Sequence, residues 1–96
     1  MTKENIIDEL NRNNEILERF HVKSLALFGS FSIGTSSLAS DIDFLVNFNQ
    51  NTFRNFIGLR DFLEELLHHK IDLVCENSLK DSIKPYILKE AIWLKN

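Results

Sequence analysis

The chain of 96 residues is 44% hydrophobic and 26% charged, with a formal net charge of −3. A chain of this size and composition builds one hydrophobic core, so residues 1–96 are expected to form a single domain, and disordered or fibrous classes are excluded. The acidic balance lacks the clustered Lys and Arg that a long polynucleotide requires, the lone Cys75 permits no internal disulfide, and no apolar run reaches the length of a signal segment or membrane span. A cytoplasmic protein is expected, with neither membrane nor long nucleic acid as partner.

In residues 2–20, Ile6, Ile7, Leu10, Leu17 and Phe20 fall on one face at helical steps, which predicts a first amphipathic helix. Residues 21–28, with Val22, Leu25, Leu27 and Phe28 running up to Gly29, read as strand one. Ser, Thr and Gly dominate residues 29–40, a loop with one helical turn near 33–37, in which Gly34 takes a conformation unsuited to other residues and Ser36, Ser37 and Ser40 are solvated. Strand two follows at 41–48, then a polar turn at 47–51 and a helix over 53–69 carrying Phe53, Phe56, Leu59, Phe62, Leu63, Leu66 and Leu67. Its closing His68, His69 and Lys70 complement the helix dipole. Residues 71–75 read as strand three. Ser78 and Asp81 resemble a capping box and Pro85 suits a helix start, so 79–90 should be helical, with a short strand at 91–94. Alternating helices and strands indicate an α/β or α+β domain with one small sheet covered by helices.

Chemistry concentrates in strand two. Asp41 and Asp43 alternate with Ile42, Phe44 and Val46, and residues two apart in a strand share a face, so the two carboxylates form an anionic pair. Two like charges in apolar surroundings require a compensating cation. Asp72, within the apolar run of strand three, supplies a third carboxylate, and the set suits one or two Mg²⁺ ions completed by the phosphate oxygens of a nucleotide. Asp72 could also act as base toward the attacking group. Gly29 lets the backbone approach a phosphate, and Ser30 adds a hydroxyl and an N–H group.

These residues resemble a known family. Gly29-Ser30, a ten-residue gap, Asp41-x-Asp43 and the third carboxylate in Lys70-Ile71-Asp72-Leu73-Val74 are similar to the minimal nucleotidyltransferases of the DNA polymerase β superfamily, over nearly the whole chain. The resemblance implies the nucleotidyltransferase fold, with a small mixed β-sheet. It implies transfer of a nucleoside monophosphate from ATP or another NTP to an acceptor hydroxyl, with Asp41, Asp43 and Asp72 as catalytic metal ligands for Mg²⁺ and Gly29 and Ser30 on the triphosphate. Stand-alone members resemble MntA-type antitoxins, which pair with a HEPN-domain toxin and adenylylate its tyrosine. A HEPN-domain protein is therefore the implied partner. The family pattern Gly-Ser-x-Ala-Arg-Gly departs here at Ile33, which replaces the arginine; Lys70 or a cation of the partner is expected to substitute, or NTP affinity to be lower.

Other readings are weaker. His68, His69 and Cys75 match no zinc spacing, and Ser30 lacks the Gly-x-Ser-x-Gly elbow and a placed His. Cys75 reads as a buried, inert thiol, and Tyr86, Trp93 and the eight Phe residues chiefly as core, although so heavy an apolar load predicts association with a partner or a second copy. Two functions stay open: a nucleotidyltransferase that modifies its partner, favoured by the three carboxylates, and a catalytically weak module that acts by complex formation, favoured by Ile33.

Overall fold

The computed structural model describes residues 1–37 and 39–96; Leu38, within the loop expected at 29–40, lies outside the described residues. Two helices, α1 (Lys3–Arg12) and α2 (Asn14–Arg19), precede β1 (Val22–Phe28) and the short α3 (Ser30–Ile33). Then follow β2 (Ile42–Phe48), α4 (Phe53–Leu67), β3 (Ile71–Cys75), a 3₁₀ turn at Glu76–Ser78, α5 (Lys84–Glu90) and β4 (Ile92–Lys95). The strands form one sheet in the order β3-β2-β1-β4. β1 is antiparallel to both β2 and β4, whereas β2 and β3, joined through α4, are parallel.

The main core lies on one face of this sheet. Ile42, Phe44 and Val46 of β2, Leu25 and Leu27 of β1, and Ile71 and Leu73 of β3 meet Ile6, Leu10, Leu17, Leu59, Leu63 and Leu67 from α1, α2 and α4. Burying each such side chain contributes roughly 1.5–3 kcal/mol, which holds the strands against their neighbours. On the other face Ala26 and Leu45 are also fully buried, outside that cluster, and α5 packs on β1. The acidic residues alternate with the core residues and so belong to this second face.

Several boundaries differ from those read in the sequence. The first helix breaks at Asn13, whose side-chain amide donates to the Glu9 carbonyl (2.8 Å) and whose backbone sits at φ −115°, a local bond that competes with the helix. The helical turn lies at Ser30–Ile33 rather than 33–37, ended by Gly34 at φ +81°. Ser78 donates to the Cys75 carbonyl (2.7 Å) instead of capping a helix, so α5 starts only at Lys84, with Pro85 in its first turn. α4 stops at Leu67 with His68 in the left-handed region.

Tyr86, 75% exposed, and Trp93, 37% exposed, are not core residues, nor is Phe53 at 81%. α5 buries none of its residues completely, and Trp93 alternates with the inward Ile92 and Leu94, so aromatic character alone did not place these rings inside. Cys75 is half-buried rather than fully so, and burial pushes its thiol up from the ordinary value. No described helix is long and apolar enough to cross a membrane.

Candidate active site

The parallel register of β2 and β3 sets Asp43 beside Asp72, with Ile42 beside Ile71 and Phe44 beside Leu73. Neighbouring residues in register project to the same side of a sheet, so the two carboxylates stand together while the flanking apolar residues enter the core. The Asp43 carboxyl is within hydrogen-bonding reach of Asp72. Asp41 precedes β2 rather than lying in it, and is half-buried; Asp72 is exposed. Ile42 donates its N–H to the Lys70 carbonyl (3.0 Å), which fastens the start of the ladder between the two acidic segments.

Burial, the neighbouring Asp72, its hydrogen bond, and the charges of Asp41 and Glu90 raise the Asp43 carboxyl from 3.8 to about 6. Desolvation is the largest cause, and the remaining causes all come from acidic neighbours. No Lys, Arg or His is ion-paired with Asp41, Asp43, Asp72 or Glu90 among the described residues. Nor do three His, Cys, Asp or Glu side chains converge into a ready metal cage among those residues. A hard divalent cation held by one or two carboxylates and completed by phosphate oxygens fits such an uncompensated oxygen set.

Gly29 ends β1 against this pair. β1 and β2 place Phe28 opposite Asp43, so the chain turns directly beside the carboxylate. A Cβ on Gly29 would lie 2.1 Å from Asp43 Oδ2, and the backbone is at φ +75°, ψ −154°, a region essentially restricted to glycine. Ser30 follows at the start of α3, and neither its N–H nor that of Phe31 meets an acceptor among the described residues. The loop returning to Asp41 is anchored by His69, whose Nε2–H donates to the Ser40 carbonyl (2.6 Å) and whose ring meets Phe31 edge-on at 5.5 Å. His69 thus serves loop geometry.

Two residues singled out in the sequence, Ile33 and Lys70, take less direct places. Ile33 is 55% exposed at the end of α3, and Lys70 is exposed just before β3, in no ion pair among the described residues. Glu90 went unnoticed in the sequence, yet it contacts Gly29 through its side chain and Ser32 through its carbonyl. Only the β1–β4 pairing brings it there, and that pairing has no local sequence signal.

Comparison with known proteins gives the family and the fold. Residues 5–94 match the family model described as nucleotidyltransferase domain. The chain is 38% identical over 81 residues to the protein adenylyltransferase MntA of Thermococcus cleftensis, covering 83% of this chain and 82% of the relative. A solved structure described as a minimal nucleotidyltransferase superposes with a TM-score of 0.84 at 29% identity, over 96% of this chain and 95% of that one. A toxin–antitoxin complex with AMP-PNP contains a chain that superposes with a TM-score of 0.68 at 25% identity, over 88% and 71% of the two chains.

Two outcomes are expected from the local geometry. Gly29→Ala forces a methyl group into Asp43 and strains the backbone; a loss of roughly 2 kcal/mol or more in urea unfolding is expected. Because the folded protein holds the Asp43 proton more tightly than the unfolded chain, the stability that this group contributes is present below about pH 4 and lost as pH rises through about 6. Without added metal, Asp43→Asn should therefore stabilise the protein at pH 7.5 by about 1 kcal/mol, after allowance for solvent screening, and leave it unchanged near pH 3.5. Denaturation at both pH values checks the difference.

Proposed function

The chain belongs to the nucleotidyltransferase domain family, and on that premise we propose that it transfers the adenylyl group of ATP to a hydroxyl of a partner protein. The observation that carries this reading is the side-by-side register of Asp43 and Asp72 on the sheet face against Gly29. The adenylyl group draws support from the activity named for the Thermococcus cleftensis relative and from the AMP-PNP in the similar complex. A HEPN-domain protein, with a tyrosine as acceptor, is the partner proposed from the family resemblance.

Asp41, Asp43 and Asp72 would hold Mg²⁺. When bound, a pair of such ions would serve a two-metal mechanism, one favouring ionisation of the acceptor hydroxyl and the other neutralising charge on the leaving pyrophosphate. Gly29 brings its backbone to the height of Asp43, and Ser30 offers a hydroxyl and an N–H to the outgoing phosphates. The acceptor oxygen bonds to the α-phosphorus of ATP as the bond from that phosphorus to the bridging oxygen breaks, so pyrophosphate leaves with the electron pair. Asp72, the most exposed of the three, accepts the hydroxyl proton. The protein supplies positioning and electrostatics rather than a covalent intermediate.

A second reading draws on Ile33, an exposed apolar residue where the family pattern carries arginine. Here the chain inhibits its partner by complex formation, with weak or no transfer. Incubation of the protein with ATP labelled at the α-phosphate, Mg²⁺ and the HEPN-domain protein of the same genome separates the two. Label on the partner is expected, lost with EDTA and reduced on the order of 10²-fold by Asp41→Asn. A stable complex without label supports the second reading, and neither label nor complex contradicts both.

A further inference from the structure

Glu90 closes α5 and reaches the Gly29-Ser30 turn from 61 residues away: its Oε1 accepts the Gly29 N–H at 3.1 Å. Its backbone carbonyl accepts the Ser32 hydroxyl, so one residue is anchored on both sides of Ser30. Ser32 is itself buried, which keeps water from competing for that bond. The β1–β4 ladder explains the meeting. The ladder's last pair is Leu27 with Ile92, and Gly29 and Glu90 each lie two residues beyond it at the same end of the sheet.

A carboxylate is an odd choice for a merely structural tie at this place. A neutral amide would accept the same bond, whereas a fourth negative charge beside Asp43 is electrostatically unfavourable. What a carboxylate adds is strength: a bond from a backbone N–H to an ionised acceptor is about twice as strong as its neutral counterpart. The turn needs such a hold, since glycine at φ +75°, ψ −154° is otherwise free to leave that conformation.

We propose that Glu90 is a positioning residue for nucleotide binding: its two bonds clamp the Gly29-Ser30 turn beside Asp43 in the conformation that receives the phosphates. This rests on the proposed function, because the turn is assigned there to the triphosphate. The role assigned to Glu90 is indirect, exercised through its bond to Gly29. The clamp also makes nucleotide binding depend on the α5–β4 segment at the far end of the sequence.

Calorimetric titration of the full chain with Mg²⁺ and AMP-PNP tests this, with melting temperatures recorded alongside. Glu90→Ala is expected to weaken binding about tenfold, the loss of one charge-assisted hydrogen bond. Glu90→Gln keeps an acceptor oxygen and should restore affinity to within about threefold of the natural chain. Ser32→Ala removes the second anchor and should weaken binding several-fold; it serves if Glu90→Ala does not fold. Natural affinity in Glu90→Ala, or in Ser32→Ala where the former is unfolded, overturns the clamp and leaves the proposed function standing. So does folded Glu90→Gln binding as poorly as Glu90→Ala. Failure of the natural chain to bind the nucleotide overturns the proposed function and the clamp with it.

Discussion

Parallel pairing of β2 with β3 sets Asp43 directly beside Asp72, and every other feature of the acidic face depends on that register. A slip of one residue would turn Ile71 and Leu73 toward solvent and carry Asp72 into the core, a change that the packing of α4 forbids. Leu59, Leu63 and Leu67, buried against Ile42, Phe44 and Ile71, are therefore as important to the acidic pair as the carboxylates themselves. The hydrophobic core fixes the position of the charges.

Those charges oppose folding. Asp43 is raised to about 6 by burial and by three acidic neighbours, and no protein cation is ion-paired with any of them among the described residues. A domain of this size has a net stability of only about 5–15 kcal/mol, so an uncompensated cluster is a substantial concession. It becomes intelligible if divalent cations occupy the site, since their positive charge then offsets the carboxylates while phosphate oxygens of a nucleotide complete the coordination. Gly29 belongs to the same compromise. Its missing side chain makes room for Asp43 Oδ2, and its unusual backbone angles would be strained in any other residue.

Much of this was legible in the sequence. The alternation of Asp41 and Asp43 with Ile42, Phe44 and Val46 announced a strand with one acidic and one apolar face, and the β3 segment around Asp72 repeated the pattern. Gly29 at a strand end announced a turn. What local pattern could not convey is where the chain meets itself. Glu90 looks like any surface residue of a terminal helix until β4 pairs with β1. The break at Asn13 arises from a side-chain bond to Glu9, and the late start of α5 from Ser78 bonding to Cys75; both are local contests between side chain and backbone that periodicity does not resolve. The exposure of Tyr86 and Trp93 has a different origin, in tertiary packing that covers only one face of α5 and β4.

The central claim is that Asp41, Asp43 and Asp72 hold divalent cation together with a nucleotide. Electron paramagnetic resonance of Mn²⁺ added to the protein, with and without AMP-PNP, addresses it most directly. Binding at least about tenfold tighter with the nucleotide present, and lost in Asp41→Asn and Asp72→Asn, is the expected result. Mn²⁺ affinity that ignores the nucleotide, or that survives both substitutions, would contradict it.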